Sequence, residues 1–261
     1  VSITNQKKKF ESAGWQVLEV DGPSEVEIEN AIDLSKKEIN KPSLIIAKST
    51  IGKFAPNKQN TSSIHGAPLG SEEMQLFLGE IGWEGDPFEH SNDIYEYFAE
   101  KRLEDDKSFE KWNSNLNNKL TNDGSFKKLW EQFEKNELNF PESFEIQDAA
   151  TRVTGGNYMK LIGLENKFVL GGSADLAAST KQIISEESYT SENRHGQNIE
   201  FGIREHSMAA VVNGISLHSN LFSFGSTFLV FSDYMRPSIR LASLMNLNSA
   251  YIFTHDSIYL G

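Results

Sequence analysis

The feature that most restricts the fold of this chain is a strand–helix–strand order near its start. Residues 15–20 alternate well enough for a strand, and residues 43–47 form the short apolar run typical of a buried parallel strand. Between them, Ser24 is a good N-cap for an amphipathic helix that runs to about Lys37. Because the helix separates two strands, this order implies a parallel sheet.

A second α/β unit is predicted from about residue 146 onward. Residues 149–161 indicate a helix, and residues 167–170 indicate a strand that leads into a glycine pair. That pair is either a plain turn or part of a ligand site, since open α/β sheets bind ligands at the carboxyl ends of their strands. A further strand is predicted at residues 250–253. Residues 71–145, between the two units, are rich in charge and indicate solvated helices without assigned chemistry.

Another helix is predicted after Gly225, with Ser226 or Thr227 as its cap. Three aromatic side chains would lie on one face of this helix at a spacing of three residues: Phe228, Phe231 and Tyr234. Pro237 is expected to break the helix or to open the next one, which would run to about residue 245.

The stretch from residue 205 to residue 217 joins a carboxylate to an apolar helix face. The apolar residues recur at i, i+3, i+4 and i+7: Met208, Val211, Val212 and Ile215. Glu205, three residues before Met208, lies on the continuation of that face. A buried carboxylate needs a partner or takes up a proton. Glu205 therefore either pairs with Arg204, His206 or a backbone amide, or belongs to a functional site.

The amino-acid sequence around Glu205 resembles a motif of a known family. Residues 201–208, which read FGIREHSM, resemble the glutamate motif of the transketolases, which are thiamine-diphosphate enzymes. Five other segments resemble the same family in the same order: residues 41–48, 64–70, 171–176, 225–228 and 254–257. The resemblance implies an α/β fold made of parts of two parallel-sheet thiamine-diphosphate-binding domains joined by a helical connector. We expect residues 1–70 to end the diphosphate-binding domain, residues 71–145 to form the connector, and residues 146–261 to begin the pyrimidine-binding domain.

The resemblance also implies roles for individual residues. Glu205 would hydrogen-bond the aminopyrimidine ring of thiamine diphosphate and favour its imino tautomer. Phe228, Phe231 and Tyr234 would form the aromatic wall of the ring's pocket, the alternative being an ordinary core stripe. Asp175 matches an aspartate beside the cofactor and the substrate.

Four more residues match family positions that contact substrate. His65, in a long loop, matches a histidine that faces cofactor and substrate, although a lone loop histidine can also be a surface residue. Arg152 and Ser179 match positions that bind the substrate phosphate, for which an arginine fork is well suited. His255 matches a histidine near the substrate hydroxyls, the alternative being a satisfied histidine at a strand end. The implied catalytic residues are Glu205, His65 and His255.

The resemblance further implies that the chain is an internal fragment, inactive alone. The family's Gly-Asp-Gly metal and diphosphate motif would lie before Val1, so we expect no metal ligand in this chain and Mg²⁺ or Ca²⁺ held by residues outside it. The family's acidic string would lie beyond Gly261. Tyr259 stands where the family often has glycine, and residues 21–24 depart from the family's Asp-Gly-His-Asp wording.

The expected intact protein is a homodimer that moves a two-carbon ketol unit between sugar phosphates of the pentose phosphate pathway. Two related enzymes remain as alternatives, a dihydroxyacetone synthase and a 1-deoxyxylulose-5-phosphate synthase. Residues 203–206 speak weakly against the second, which usually has a different string around its glutamate. A non-catalytic interaction protein of the same fold is the alternative from another class.

The amino-acid composition restricts which kinds of molecule the protein can bind. The net charge of −12 argues against wholesale binding of nucleic acid or of anionic membranes, while leaving room for a local basic pocket. The absence of cysteine excludes disulfides and thiolate metal sites, and it fits a cytoplasmic protein. No signal-peptide pattern and no apolar run long enough to span a bilayer are found in the sequence.

Overall fold

The structure of the protein is a computed structural model that describes residues 3–86, 88–146 and 148–256. It divides into two compact units, Val1–Lys101 and Arg102–Gly261. The first contains α1 (Gln6–Ser12), β1 (Gln16–Asp21), α2 (Glu25–Lys37), β2 (Ser43–Lys48), a 3-10 turn (Ser62–Ile64) and α3 (Ser71–Glu80). Helix α4 (Asn92–Asn122) crosses the division. The second contains α5 (Gly124–Lys135), α6 (Thr151–Glu165), β3 (Val169–Ser173), α7 (Ala177–Thr180), α8 (Glu205–His218), β4 (Phe222–Phe228), a 3-10 turn (Leu229–Phe231), α9 (Ser232–Leu244) and β5 (Ser249–Thr254).

The first unit is built on the predicted parallel pair. Strands β1 and β2 are hydrogen-bonded in parallel from Gln16 and Ser43 onward, with α2 between them in sequence. Ser24 caps α2, because its hydroxyl accepts a hydrogen bond from the backbone N–H of Glu27 at 3.4 Å. The Glu27 carboxylate in turn accepts from the backbone N–H of Asp21 at 2.7 Å. The strand–helix–strand prediction is therefore confirmed, including its cap.

The long loop after β2 is a compact series of turns. Ala55 is almost fully buried at the centre of the series. Gly52 has a φ of +63°, and a Cβ atom there would lie 2.4 Å from Cδ1 of Ile64. Glycine at this position thus allows the Ile64 side chain to pack against the turn. The neighbouring residue, His65, is exposed.

The second unit is a three-stranded parallel sheet in the order β3-β4-β5, with helices on both faces. Helices α8 and α9 cover one face, where the buried core comprises Ala174, Phe201, Met208, Ala209, Val212 and Met235. Helix α6 contributes to the core on the other face, which comprises Ile162, Val169, Ile184 and Phe224. This layered arrangement is the predicted α/β class.

The glycine pair lies inside β3 and is not a plain turn. A Cβ atom on Gly171 would lie 2.3 Å from both the ring and the carbonyl oxygen of Phe224. A Cβ atom on Gly172 would lie 2.2 Å from the carbonyl oxygen of Ile199. Both positions exclude a side chain because neighbouring backbone already fills the space.

The prediction for residues 226–237 is wrong in two respects. Ser226 and Thr227 lie in β4, fully buried, and do not cap a helix. Pro237 lies inside α9 and does not interrupt it. Proline removes one hydrogen bond near the start of this helix. The burial of Met235 and Ala242 on its packed face offsets that loss.

The buried face of α8 is also rotated from the predicted one. Val211 is 45% exposed, whereas Ala209 and Asn213 are buried. The amide nitrogen of Asn213 donates to the carbonyl oxygen of Ser238 in α9 at 2.9 Å. The face of α8 that contacts α9 thus carries small and polar residues, and the apolar face of α8 is narrower than predicted. Within the described part of the chain, no helix combines the length and apolar character that a membrane crossing requires.

Candidate active site

Helix α8 is held against β4 by a row of small side chains. Three residues alternate along the strand and face the helix: Ser223, Gly225 and Thr227. The hydroxyl of the first donates to the carbonyl oxygen of Val212 at 2.8 Å. The second leaves room for Met208, whose Cγ would lie 2.9 Å from a Cβ atom placed there. The hydroxyl of the third donates to the carboxylate of Glu205 at 3.4 Å. Contacts along the helix therefore fix where its first residue lies.

Glu205 is a buried carboxylate at the first position of α8, with 9% of its surface exposed. It lies on the face that buries Met208, as its sequence position predicts. Its hydrogen-bond partner is Thr227, and among the described residues it forms no ion pair with Arg204 or His206. The positive end of the helix dipole favours a carboxylate at this place.

A cavity of about 550 Å³ opens beside this carboxylate. Its lining includes Asp175, Leu176, Ile203, Glu205, Phe231 and Tyr234. Asp175 follows the carboxyl end of β3 and adopts a φ of +60°, which few residues other than glycine adopt. Its backbone N–H donates to the carbonyl oxygen of Ser173 at 2.9 Å. Aspartate adopts this conformation more readily than most residues other than glycine, and at the edge of a cavity it suggests a functional role as a hypothesis.

An aromatic row borders the cavity. The rings of Phe228 and Phe231 are stacked with centroids 5.9 Å apart and an interplanar angle of 13°. The rings of Phe231 and Tyr234 follow at 6.0 Å and 24°. The three rings therefore stack in a row, but the predicted single helix that would carry them is wrong. Phe228 ends β4, Phe231 ends a 3-10 turn, and Tyr234 lies in the first turn of α9.

His255 lies at the end of β5 against this row. Its ring meets Phe228 edge-to-face at a centroid distance of 4.8 Å. Its Nδ1 atom is buried and, among the described residues, has no hydrogen-bond partner. The next residue, Asp256, accepts a hydrogen bond from the backbone N–H of Val230, which joins the end of β5 to the turn that carries Phe231. Ser257 and Tyr259 lie outside the described residues.

The other predicted site residues do not line this cavity. Arg152 is half-buried in the first turn of α6, and Ser179 is exposed in α7. His65 lies in the first unit, directly after the 3-10 turn. The structure thus gathers Glu205 and Asp175 with the aromatic row.

Two contributors to the site were not found from the sequence. Thr227 was expected to cap a helix, whereas it is the partner of Glu205. Asp256 belongs to a motif that was noted, but no role was assigned to it. The alternation of small residues along β4 is the signal that identifies Thr227, because it is typical of a strand packed closely against a helix. In the ranges 3–86, 88–146 and 148–256, no cluster of three or more acidic or histidine side chains is arranged to hold a metal ion.

Two protein-family models match the chain. The family model for the transketolase thiamine diphosphate binding domain matches residues 1–138. The model for the transketolase pyrimidine binding domain matches residues 147–261. The chain belongs to the transketolase family. The transketolases are thiamine-diphosphate-dependent transferases, and the cavity beside Glu205 lies in the segment that matches their pyrimidine binding domain.

Individual transketolases match along almost the whole chain. The transketolase of Staphylococcus aureus (strain MRSA252) is 39% identical over 98% of this chain, which corresponds to 40% of that protein. The crystal structure of transketolase from Campylobacter jejuni matches with a TM-score of 0.85 and 33% identity, over 100% of this chain and 40% of that one. The transketolase of Pichia stipitis in complex with sedoheptulose-7-phosphate matches with a TM-score of 0.90 and 27% identity, over 99% and 40%. The chain thus spans about two fifths of the length of these transketolases.

Proposed function

We propose that the intact protein containing this chain transfers a two-carbon ketol unit between sugar phosphates, using thiamine diphosphate. The observation that carries the proposal is the buried carboxylate of Glu205 at the edge of a cavity bordered by stacked aromatic rings. Membership of the transketolase family supports the reaction class. The residues described above supply one part of the site.

The cavity fits an aminopyrimidine ring. A flat heterocycle of this kind needs apolar walls together with a hydrogen-bonding group at its edge. Phe231 and Tyr234 supply aromatic surface, and Glu205 supplies the acceptor. Bound thiamine diphosphate supplies the carbon nucleophile and the electron sink for ketol transfer.

Each of these side chains would have a defined task. The carboxylate of Glu205 would accept a hydrogen bond from a protonated nitrogen of the ring and so control where the ring's proton is held. Thr227 donates to that carboxylate and orients it. Phe231 and Tyr234 would shield one side of the ring from water, with Phe228 stacked on Phe231. Lower exposure to water would strengthen the hydrogen bond to Glu205. Asp175, which also lines the cavity, would be a second polar contact for cofactor and substrate.

Four residues are proposed to bind the sugar phosphate. Arg152 and Ser179 would contact its phosphate group, since a guanidinium makes two parallel bonds to phosphate oxygens. His65 would face both cofactor and substrate, and His255 would contact substrate hydroxyls. The Nδ1 atom of His255, which has no hydrogen-bond partner among the described residues, supports the role of His255. The Pichia stipitis transketolase in complex with sedoheptulose-7-phosphate supports a sugar phosphate as the substrate class.

The remaining parts of the site are proposed to lie outside this chain. Residues 1–70 would complete a diphosphate-binding domain, residues 71–145 would connect it, and residues 146–261 would begin a pyrimidine-binding domain. A divalent ion, Mg²⁺ or Ca²⁺, would bind the diphosphate through ligands elsewhere in the intact protein. We propose a cytoplasmic enzyme of the pentose phosphate pathway on the same grounds.

A homodimer would cover the open side of the cavity. Ile203 is 80% exposed and Tyr234 is 63% exposed, although both line the cavity. Leu229 and Val230, in the turn beside the aromatic row, are more than half exposed as well. Exposed apolar residues grouped beside a ligand cavity are typical of a surface that a partner covers.

The test is an assay of ketol transfer by the intact protein with thiamine diphosphate and a divalent ion. We expect Glu205→Gln to lower kcat by about 100-fold or more, because general acid–base groups typically contribute that much. Glu200→Gln is the matched control, since Glu200 is exposed and lies outside the cavity. Full activity in Glu205→Gln, or no transfer by the intact wild-type protein, would overturn the proposal. The isolated 261-residue chain is expected to be inactive.

A further inference from the structure

A second buried carboxylate lies outside the cavity, in the first unit. Glu73, in the first turn of α3, is 6% exposed. Its Oε1 atom accepts a hydrogen bond from the backbone N–H of Asn57 at 2.8 Å, and its Oε2 atom accepts from the side-chain amide of Asn57 at 3.0 Å. Both oxygens are thus engaged by one residue of the long loop after β2.

The surroundings keep this carboxylate charged. Burial raises the pKa of Glu73, but the side-chain and backbone hydrogen bonds from Asn57 and the positive charge of Lys58 outweigh it, so that the pKa lies below its ordinary value. The neighbouring acid, Glu72, is exposed. A charged acceptor forms stronger hydrogen bonds than a neutral one. Glu73 is therefore a firm attachment point at neutral pH.

Lys58 closes the same loop at a second point. Its Nζ atom donates to the carbonyl oxygen of Leu69 at 2.6 Å. The backbone carbonyl of Lys58 also accepts from the hydroxyl of Thr61 at 2.6 Å. The contact with Leu69 joins the two ends of a segment that contains His65. The segment is thus fastened to α3 through Asn57 and closed on itself through Lys58.

The packing of Ile64 passes this restraint to the adjacent histidine. Ile64 packs against Gly52, as described above, and is half-buried. His65, the next residue, is exposed. The backbone N–H of His65 also donates to the carbonyl oxygen of Ser62 at 3.2 Å. The backbone of His65 is therefore restrained directly on its N-terminal side, and the contact between Lys58 and Leu69 closes the segment on its C-terminal side.

We propose that Glu73 and Lys58 form a loop clasp that positions His65 for the sugar substrate. Both are positioning residues, because they act on His65 through the backbone of the loop. The inference rests on the proposed function for the role of His65, whereas the clasp itself rests on the contacts of Glu73 and Lys58. Without the clasp, we expect His65 to move away from its position relative to the substrate.

The clasp is tested first by amide hydrogen exchange in the intact protein. We expect Glu73→Ala to speed exchange of residues 57–69 by roughly tenfold or more, because local opening becomes easier. Glu72→Ala, one residue away and exposed, is expected to leave those rates unchanged. Glu73→Gln should restore much of the protection, since its oxygen still accepts from the backbone N–H of Asn57. Should Glu73→Ala fail to fold, Lys58→Met removes the other contact of the clasp and must also speed exchange of the loop.

Activity then shows whether the clasp acts through His65. We expect Glu73→Ala to lower kcat/KM by about 10- to 100-fold, a typical result of misplacing a group by about 1 Å. In a His65→Ala background the same change is expected to have little further effect, because two residues that share one task are not additive. An equal loss in both backgrounds would show a structural role alone and would overturn the proposal.

The two measurements separate failure of the clasp from failure of the proposed function. An intact protein without ketol transfer contradicts the proposed function and, with it, the positioning role. Normal transfer by the wild-type protein, together with unchanged loop exchange in both Glu73→Ala and Lys58→Met, contradicts the clasp alone.

Discussion

Helices α8 and α4 use opposite means of stabilisation, and only one of them carries the candidate site. Helix α8 has 14 residues and fully buries Met208, Ala209 and Val212. Helix α4 has 31 residues, and none of its described side chains is buried. Its aromatic residues contact one another along the helix surface, as when Phe109 stacks on Trp112 at 6.0 Å. The number of aromatic residues in a helix therefore does not indicate whether the helix is buried. Small residues on a strand that faces the helix do indicate close packing.

The difference bears directly on the site. Contacts along much of α8 determine where Glu205 lies, because β4 meets the helix at Glu205, Met208 and Val212 in turn. No cavity residue of the site belongs to α4. We therefore expect substitutions between α8 and β4 to affect stability and the site together, and substitutions in α4 to affect neither.

The largest contrast is expected between Met208→Ala and Trp112→Ala. Met208 is fully buried, so its truncation leaves a cavity and should lower the free energy of unfolding by about 2–5 kcal/mol. Trp112 is 53% exposed, and its truncation should cost less than about 1 kcal/mol. Urea unfolding of the two variants beside the wild-type chain measures both values. Equal losses would contradict the contrast between the helices.

The next contrast adds a methyl group in β3, which pairs with β4, and at the start of α5, which follows α4 in the chain. Gly171→Ala places a Cβ atom 2.3 Å from backbone oxygen in β4, which should lower stability by about 1–3 kcal/mol. Gly124→Ala, at the start of α5, meets nothing within 4 Å and should be neutral or slightly stabilising. Thermal unfolding distinguishes the two, and a stable Gly171→Ala variant would mean that β3 and β4 are less closely packed.

A matched pair of serines gives a smaller effect. Ser223→Ala removes the buried hydrogen bond to the carbonyl of Val212, at a cost of about 1 kcal/mol. Ser108→Ala removes an exposed bond to the carbonyl of Glu104 within α4 and should change stability by less than about 0.5 kcal/mol. The denaturant concentrations at the unfolding midpoints of both variants would measure these two differences. The interpretation fails if Ser108→Ala is the more costly change.

The smallest effect is a dependence on pH at the start of α5. Asp123 caps this helix, and hydrogen bonds from the backbone N–H of Phe126 and the hydroxyl of Ser125 hold the pKa of its carboxyl below the ordinary value. Since the folded pKa is lowered, the cap stabilises the helix above the unfolded pKa of about 3.9, and this is lost as pH falls through the folded value. Helix α8 has no side-chain cap of this kind.

Amide chemical shifts of residues 125–127 measured between pH 6 and pH 2 would report this loss. Asp123→Asn keeps a capping oxygen that does not titrate, so its shifts should stay flat over the same range. The same pH-dependent change in Asp123→Asn would place the effect elsewhere.

Local features of the fold were predictable from the sequence. The Ser24 cap and strands β1 and β2 follow from residues close together in the chain, and the structure confirms them. Burial of Glu205 follows from its distance to Met208 along a helix. Stacking of the aromatic row occurs, but across the end of β4, a 3-10 turn and the start of α9, and not on the single helix that the spacing predicted.

Features that depend on distant contacts were not predictable. Thr227 was predicted to cap a helix because a hydroxyl before an apolar stretch is typical of a cap. It lies in β4 instead, and this depends on the packing of β4 beside α8. Val211 read as buried because helical spacing does not reveal where neighbouring elements lie. The pairing of Glu73 with Asn57 joins residues 16 positions apart, and no local pattern announces it.

The most direct test of the site is a crystal structure of the intact protein with thiamine diphosphate bound. We expect a carboxylate oxygen of Glu205 within about 2.6–3.2 Å of a nitrogen of the aminopyrimidine ring, with Phe231 against the face of that ring. Thr227 should still donate to the same carboxylate. A bound cofactor whose pyrimidine ring lies away from Glu205, with the cavity filled by solvent, would contradict the assignment.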